Sequence, residues 1–193
     1  MEIANRISME RDPETLTLDQ ATGRVLFEDL SSLVDDPRFD NSAMDGWAVR
    51  EADCQETGVV LRIVGTSQAG SGEVPPVGDG EACSIMTGAP IPEGADAIVM
   101  VEDSTTHDGS VTINGPARPG FIRRRGENLT QGEQPLKSGN ILTPSAISLA
   151  ATMGHDRVSV VRQPSIAVIG VGDELTPPGE PLSENSIYES NTF

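Results

Sequence analysis

Glycine and proline interrupt the apolar runs of this chain before they become long enough for extended helices. The run Ala82–Met86, for example, stops directly before Thr87 and Gly88. Pro90 and Pro92 follow, and neither has the N–H donor that a continuing strand would need. Because the chain has 20 glycines, 14 prolines and only 3% aromatic residues, we predict a mainly β fold with a few helices (α+β) and many turns.

Apolar patterning between these breaks predicts short strands and one clear helix. Thr143 and Pro144 are typical of a helix N-cap and first turn. The helix is predicted over Ser145–Met153, and Gly154 is typical of its end. A shorter helical turn is predicted to end at Gly23 in a left-handed conformation. The predicted strands are Thr15–Leu18, Arg24–Leu30, Trp47–Val49, Gly58–Gly65, Ala82–Met86, Ala97–Val101, Val111–Ile113, Arg157–Val161 and Ile166–Val171.

The stretch Pro37–Val49 holds the densest group of polar side chains. Asp40, Asn41, Ser42 and Asp45 lie within six residues of one another, a density that fits neither a helix face nor a regular strand. They predict a loop that leads into a strand, and such loops often carry functional residues. Residues of these types also cap ordinary turns, so the stretch by itself is equally consistent with a turn.

Two further loops combine groups that suit anions. At Thr87 and Gly88, a broken strand can present a hydroxyl and free backbone N–H groups to an anion, although a simple turn is at least as good an interpretation. Three consecutive arginines, Arg123–Arg125, precede Gly126 and can bind phosphate or another oxyanion. A solvated charge run that balances an acidic surface is the alternative.

The apolar run Ile166–Val171 is predicted to be a strand covered on both faces. It leads into Gly172–Leu175, which places Asp173 and Glu174 just beyond the carboxyl end of the strand, where open α/β sheets bind ligands. One strand cannot form such a sheet. The segment therefore reads as the beginning of an α/β domain of which the chain holds only a part.

Composition disfavours several classes of function. The net charge of −17 argues against general nucleic-acid binding. No apolar run is long enough for a membrane helix and no signal peptide opens the chain, so we expect a cytoplasmic protein.

Cys54 and Cys83 lack metal-ligand spacing and are interpreted as free thiols, with a single disulfide as the alternative. His107 and His155 lie near no other polar group that would support nucleophilic catalysis.

The basic residues are unevenly chosen, because Lys137 is the only lysine beside twelve arginines. An acidic chain poor in lysine suits concentrated salt, where self-repulsion is screened. We therefore expect a salt-adapted protein.

The polar groups that remain as functional candidates are acids, hydroxyls and arginines in four loops: Asp45, Thr87, Arg123–Asn128, and Asp173 with Glu174. This combination suits a Mg²⁺-dependent reaction of phosphates or oxyanions.

Five motifs carry a family resemblance: Asp40–Val49 (DNSAMDGWAV), Ile85–Asp96 (IMTGAPIPEGAD), Arg123–Leu129 (RRRGENL), Gly172–Leu175 (GDEL) and Ile187–Asn191 (IYESN). In this order they resemble molybdopterin molybdenumtransferases, a family that includes the E domain of gephyrin. The resemblance extends from about residue 13 to the end of the sequence.

The resemblance implies an enzyme of molybdenum cofactor biosynthesis. Such an enzyme uses Mg²⁺ to insert molybdate into adenylylated molybdopterin, with release of AMP. It also implies an elongated homodimer whose composite site combines the β-rich domain of one subunit with the α/β domain of the other. A molybdopterin adenylyltransferase is a possible partner, and neither nucleic acid nor a membrane is implied.

Residue roles carry over by motif. The resemblance implies that Asp45 and Thr87 on the β-rich side and Glu174 on the α/β side are catalytic, with Asp45 and Glu174 as the metal ligands. The residues that it implies in substrate or anion binding are Ser42, Gly88, Arg123, Asn128, Asp173, Ser190 and Asn191.

The chain departs from the family pattern at several places. Asn128 stands where the motif usually has an acid, Val171 replaces a threonine, and Glu189 replaces an aspartate. The segment before Pro13 is short for the usual first helix, and most of the α/β domain and the C-terminal β-barrel lie outside the sequence. We therefore expect the chain by itself to bind the cofactor poorly.

The predicted domains are a small helix-containing subdomain (13–31 with 133–162), an inserted β-rich domain (32–132) and the start of a molybdopterin-binding α/β domain (163–193). The alternative to an enzyme portion is a non-catalytic dimerisation or scaffold fragment of the same family, which lacks the cofactor pocket.

Overall fold

The structure is a computed structural model that describes residues 12–70 and 72–192. The chain divides into two units, one formed by residues 13–160 and the other by residues 161–192 with residue 12. Short strands dominate residues 12–70 and 72–192, where the one α-helix, α1, covers Pro144–Thr152, so the predicted mainly β fold is confirmed. The predicted shortness of the segment before Pro13 concerns residues outside the described part, and the predicted domain division stays a prediction.

The strands are short, as the glycines and prolines predicted. Numbered along the chain, they are β1 (Pro13–Thr17), β2 (Asn41–Ser42), β3 (Gly46–Val49), β4 (Val59–Ser67), β5 (Glu81–Ile85), β6 (Ala97–Met100), β7 (Ser104–His107), β8 (Ser110–Ile113), β9 (Ile122–Arg123), β10 (Arg157–Val161), β11 (Leu175–Thr176) and β12 (Ile187–Tyr188).

A six-stranded sheet in the order β6-β3-β5-β4-β8-β7 forms the centre of the first unit. Strand β3 pairs antiparallel with both β5 and β6, while β4 and β5 are parallel. A parallel pair needs a crossover connection, and the segment between β4 and β5 supplies it. The central position of β3 explains why all four of its residues are buried.

Both faces of this sheet are covered by apolar side chains. Successive residues of a strand point to opposite faces, so Trp47 and Val49 join one buried cluster while Ala48 joins the other. The indole N–H of Trp47 donates to Ser104 Oγ at 2.8 Å, which satisfies its polar group beside the core. The predicted strand Trp47–Val49 is thereby confirmed.

A third buried cluster surrounds helix α1. Thr143 caps the helix as predicted, because its Oγ1 accepts from the N–H of Ala146 at 3.2 Å. Gly154 follows the C-cap residue Met153 and has a φ of +94°, as predicted for a helix end. Leu26 and Met153 are fully buried in this cluster.

The prediction of a continuous strand over Arg24–Leu30 is wrong. Three isolated bridges replace it: Val25 and Leu30 pair with Ile141 and Leu136 of one antiparallel segment, and Leu26 pairs with Val160. The partner segment 136–141 turns at Ser138 and Gly139 between these two bridges, so a continuous ladder does not form. Leu26 and Leu30 are nevertheless buried, as their apolar character predicted.

The prediction of a strand over Ile166–Val171 is also wrong. The segment has no regular secondary structure, and Ile166, Ile169 and Val171 are each at least 80% exposed. A strand covered on both faces needs neighbouring strands to satisfy its backbone, and none pairs with this segment within residues 161–192. In this unit only β11 and β12 pair, in parallel.

Both cysteines are free, as predicted. Burial, with smaller contributions from Asp53 and Asp96, raises the pKa of the Cys54 thiol to about 11, so this thiol stays protonated near neutral pH.

Within the described ranges, no helix has the length and apolar character needed to cross a membrane.

Candidate functional site

The residues predicted at Asp45 and Thr87 lie together at the end of the central sheet. Strand β3 begins at Gly46, which is paired with Ile85 at the end of β5. Asp45 directly precedes β3, and Thr87 follows the end of β5. The pairing of Gly46 with Ile85 therefore brings Asp45 and Thr87 to the same end of the sheet. Gly46 allows this packing, because a Cβ atom there would lie 1.9 Å from the carbonyl oxygen of Val99.

Thr87 holds one carboxylate oxygen of Asp45 with two hydrogen bonds. The backbone N–H of Thr87 donates to Asp45 Oδ1 at 2.7 Å, and Thr87 Oγ1 donates to the same atom at 2.9 Å. The backbone bond, followed by the hydroxyl bond, lowers the pKa of Asp45 below its ordinary value. Both residues are exposed, and Oδ2 makes no hydrogen bond to the part of the chain that the structure describes. Asp45 thus presents an ionised carboxylate with one oxygen available to a ligand.

The turn after Thr87 is fixed by Ser42. The N–H of Gly88 donates to the Ser42 carbonyl at 2.8 Å, and the N–H of Ser42 donates to the Ala89 carbonyl at 3.0 Å. Gly88 has a φ of +79°, a left-handed conformation that favours glycine. The Ser42 side chain is fully buried, and its hydroxyl donates to the Met44 carbonyl at 2.6 Å.

Backbone N–H groups at this turn are therefore already used. Thr87 N–H bonds to Asp45, Gly88 N–H bonds to Ser42, and Ala89 N–H donates to the Met86 carbonyl at 2.9 Å. The prediction of free backbone N–H groups for an anion is wrong here. The group that the turn offers to a ligand is the carboxylate of Asp45.

The arginine run begins with the last residue of β9, which pairs antiparallel with β2 and so lies beside Ser42. Arg124 Nη1 donates to Asp40 Oδ2 at 2.6 Å, and the N–H of Arg125 donates to Asp40 Oδ1 at 2.8 Å. The Arg125 backbone bond and the Arg124 side chain lower the pKa of Asp40. Arg123 is exposed and forms no ion pair with the residues that the structure describes. It is the member of the run whose guanidinium is available for an oxyanion.

Asn128 lies in a different contact from the Asp45–Thr87 pair. Its side-chain amide donates to Asp36 Oδ2 at 3.0 Å, and its backbone N–H donates to the Asp36 carbonyl at 3.0 Å. The structure thus joins Asn128 to Asp36, an acid that the sequence analysis did not single out. Asp40 was also missed as a partner of the arginines, although its place opposite Arg124 follows from the pairing of β2 with β9.

The predicted residues of the second unit lie around the β11–β12 pair. Asp173 and Glu174 are exposed directly before β11, and the Glu174 carbonyl accepts from the N–H of Ile187 in β12 at 2.8 Å. Ser190 and Asn191 follow β12 and are exposed. Glu189 Oε1 accepts from the N–H of Asn191 at 2.7 Å, so Glu189, the departure from the family motif, organises this turn. Hydrogen bonds from Thr192 and Asn191 lower the pKa of Glu189.

Metal ligation was predicted at Asp45 and Glu174, which belong to separate units. No group of three or more His, Cys, Asp or Glu side chains suited to a metal ion occurs among residues 12–70 and 72–192. Asp45 fits a Mg²⁺ ion in the more limited sense that Oδ2 is an unoccupied hard oxygen donor. Mg²⁺ commonly keeps several waters and takes only one or two protein carboxylates.

Comparisons with known proteins identify the family that the chain resembles. Residues 1–154 match the family described as "MoeA N-terminal region (domain I and II)". The chain is 41% identical over 182 residues to the molybdopterin molybdenumtransferase of Haemophilus influenzae. The aligned region covers 93% of this chain and 45% of that relative. It is 42% identical over 186 residues to molybdopterin molybdenumtransferase 2 of Mycobacterium tuberculosis, with coverages of 94% and 46%.

A solved structure shows the same fold. The crystal structure of the molybdopterin biosynthesis MoeA protein from Pyrococcus horikoshii OT3 superposes with a TM-score of 0.85 at 33% sequence identity, covering 94% of this chain and 50% of that one. The chain spans less than half the length of the curated relatives named above. From the sequence match, the fold and the motif residues together, the chain belongs to the MoeA family and corresponds to its N-terminal region.

Proposed function

We propose that this chain provides the N-terminal portion of a molybdopterin molybdenumtransferase in molybdenum cofactor biosynthesis. The reaction is the Mg²⁺-dependent insertion of molybdate into adenylylated molybdopterin, with release of AMP. Family membership and the names of the relatives support this proposal. We also propose that the protein works in the cytoplasm and that a molybdopterin adenylyltransferase is a partner.

The observation that carries the proposal is the contact between Asp45 and Thr87. Their two hydrogen bonds fix the carboxylate, keep it ionised and leave Oδ2 available. Molybdate and a pyrophosphate-type linkage are anionic, so an ionised carboxylate would repel them unless a cation lies between. Asp45 would hold Mg²⁺ through Oδ2, and the bound ion would supply positive charge to neutralise the phosphate oxygens.

The anion is expected to contact arginine rather than the turn. The backbone N–H groups of Thr87, Gly88 and Ala89 are already hydrogen-bonded, whereas the guanidinium of Arg123 has no acidic partner in the described residues. A guanidinium offers several N–H donors in a planar arrangement that matches oxyanions. Arg123 is therefore our candidate for holding molybdate or phosphate oxygens.

We propose that the complete site is shared between two copies in a homodimer. One copy would supply Asp45, Thr87 and Arg123, and the other would supply Asp173 and Glu174. The exposed carboxylates of Asp173 and Glu174 support this idea, since both are accessible to a second chain or to a ligand. Glu174 would provide the second protein carboxylate for Mg²⁺.

The test is molybdate-dependent AMP release from adenylylated molybdopterin. The chain should be assayed alone and as a fusion to the part of the Haemophilus influenzae relative that lies beyond the matched region. We expect the fusion to be active and Asp45→Asn to lower its turnover by roughly 100-fold or more, as for loss of one key electrostatic group. Asp108→Asn, which removes an exposed acid from the turn between β7 and β8, is the matched control.

Melting temperatures separate a loss of chemistry from a loss of fold. Asp45 is exposed, so Asp45→Asn should melt close to the parent fusion. A fusion that folds but releases no AMP would contradict the enzyme assignment and favour the non-catalytic scaffold. Full activity of Asp45→Asn would remove this residue from the mechanism.

A further inference from the structure

An open pocket of about 230 Å³ lies between the loop at residues 33–38 and the segment at residues 125–131. Two of the residues that line it are arginines and only one is an acid, in a chain whose net charge is −17. The lining therefore carries an excess of positive charge that the overall composition does not predict. The lining residues are Leu33, Val34, Asp35, Arg38, Arg125 and Gln131.

Backbone hydrogen bonds join the two segments that form the pocket. The N–H of Gly126 donates to the Pro37 carbonyl at 2.9 Å, and the N–H of Asp36 donates to the Leu129 carbonyl at 2.7 Å. Pro37 directly precedes one arginine of the pocket and Gly126 directly follows the other. The backbone that carries both arginines is thus held in place, and such preorganisation lowers the entropic cost of binding a ligand.

Asp35 anchors Arg125 through one side of its guanidinium. Arg125 Nε donates to Asp35 Oδ2 at 2.5 Å, and the N–H of Gln131 donates to Asp35 Oδ1 at 2.8 Å. The Gln131 backbone bond, followed by the Arg125 side chain, lowers the pKa of Asp35, so this carboxylate stays ionised near neutral pH. The Asp35 side chain is 15% exposed, whereas that of Arg125 is 66% exposed. The two Nη groups of Arg125 make no hydrogen bond to the described part of the chain and are available to a ligand.

Arg38 is the second cation of the pocket. Its side chain is exposed and forms no ion pair or hydrogen bond with residues 12–70 and 72–192. The side-chain amide of Gln131 is likewise exposed and makes no hydrogen bond within those ranges. Planar guanidinium groups match the oxygens of phosphates and carboxylates. The pocket therefore offers unused N–H donors, two sets of them charged, and no unpaired acid among its lining residues.

Leu33 and Val34 give the pocket an apolar side. Leu33 is 51% exposed, although its backbone N–H donates to the Met153 carbonyl at 2.9 Å and so fixes it beside the end of α1. The volume of about 230 Å³ lies below the roughly 300–1,000 Å³ of sites that enclose drug-sized ligands. The pocket suits one anionic group with a short apolar portion rather than a large cofactor.

We propose that this pocket binds a small organic phosphate. Arg38 and Arg125 hold the phosphate oxygens, and Leu33 contacts the organic part. The inference goes beyond the proposed function, because that reaction uses Asp45, Thr87 and Arg123 of this unit and none of the residues that line the pocket. Inorganic phosphate shares the charged group but has no part that contacts Leu33.

The first measurement is an NMR titration of the ¹⁵N-labelled chain with phenyl phosphate at constant ionic strength. We expect saturable shifts of the backbone signals of Leu33 and Gln131. Arg38→Gln should weaken binding roughly tenfold or more, as for the loss of hydrogen bonds to a charged group. Its melting temperature should stay near that of the parent chain, because the Arg38 side chain makes no contact that supports the fold.

Arg162→Gln is the matched control, because Arg162 is also exposed and outside any ion pair with the described residues. It does not line the pocket, so we expect it to bind phenyl phosphate like the parent chain. Parent-like binding by a folded Arg38→Gln variant would overturn the proposal. Equal weakening in the two variants would also overturn it, since the effect would then come from overall charge.

The second measurement compares inorganic phosphate with phenyl phosphate. We expect inorganic phosphate to shift the same signals but to bind roughly threefold or more weakly, because it buries no apolar surface. Leu33→Gln should remove this preference while its affinity for inorganic phosphate stays near that of the parent chain. Equal affinity of the parent chain for both ligands would overturn the organic ester in favour of free phosphate. Absence of saturable shifts with either ligand would overturn the site itself.

Discussion

Asp45 and Thr87 are 42 positions apart in the chain, yet two donors of Thr87 converge on a single oxygen of Asp45. The backbone N–H fixes the carboxylate in place whatever the side chain at residue 87, while the hydroxyl adds a second bond. Because both bonds go to Oδ1, the other oxygen stays open. The arrangement explains how an exposed aspartate can be both oriented and available.

We expect Thr87→Val to raise the pKa of Asp45 toward its ordinary value without restoring it fully. Valine removes the hydroxyl bond but keeps the backbone bond, which is the larger cause of the lowered pKa. A ¹³C NMR titration of the Asp45 carboxyl carbon measures the effect directly. Thr87→Ser is the control, since serine retains a hydroxyl, and its titration should stay near that of the parent chain. An unchanged midpoint in Thr87→Val would show that the hydroxyl bond does not form in solution.

Gly46→Ala should destabilise the first unit by roughly 2–3 kcal/mol, a typical cost of forcing extra atoms into a packed region. The added Cβ would lie 1.9 Å from the Val99 carbonyl oxygen, so β3 and β6 would have to separate. Gly120→Ala is a suitable control, because a Cβ atom there meets nothing within 4 Å. Urea unfolding of both variants measures the difference. Equal stability of the two would mean that the sheet shifts at little cost.

Local signals in the sequence identified much of the fold. Thr143, Pro144 and Gly154 predicted the helix correctly because a cap and a stop depend on neighbouring residues only. The strand after Asp45 was predicted for the same reason, from its apolar residues and the preceding glycine. These signals need no knowledge of distant partners.

Pairing between distant segments was not predictable in this way. Arg24–Leu30 has an apolar pattern typical of a strand, but its partner segment turns at Ser138 and Gly139, so isolated bridges form instead of a ladder. Ile166–Val171 is apolar, yet burial of a strand also requires neighbouring strands. The candidate site follows the same rule. Asp45 and Thr87 were identified individually, whereas the contact of Asp36 with Asn128 depends on a pairing across 92 positions.

The ion pair of Asp40 with Arg124 should make stability depend on pH. Hydrogen bonds from Arg125 and Arg124 lower the folded-state pKa of Asp40, so its carboxylate stabilises the fold above the unfolded-state pKa of about 3.9. This contribution is lost as the pH falls through the lowered folded-state pKa. We expect Asp40→Asn to cost about 1 kcal/mol at pH 7, near the upper end for partly exposed pairs, and much less at pH 2.5.

The measurement for Asp40 is urea unfolding of the parent chain and the variant at both pH values. Asp108→Asn is the control, because its carboxylate is largely exposed and contacts only His107. Its effect should be small at either pH. A cost for Asp40→Asn that is the same at pH 7 and pH 2.5 would contradict the linkage, since it would arise from packing rather than from charge.

The excess of acidic residues should make the fold more stable in concentrated salt. The chain has 30 acidic and 13 basic residues, so many acids have no cation to offset them. At about 1 M salt the screening length falls to roughly 3 Å, which suppresses repulsion between separated acids more than attraction within close pairs such as Arg125 and Asp35. We expect the melting temperature to rise by roughly 4 °C or more between 0.05 and 2 M KCl, which corresponds to a gain of about 1–2 kcal/mol in the free energy of unfolding at this chain length.

The variant Glu56→Gln/Glu102→Gln/Asp108→Asn removes three exposed negative charges and should show a smaller rise in melting temperature. A melting temperature that falls with added salt would mean that attractive ion pairs outweigh the net repulsion and would contradict salt adaptation.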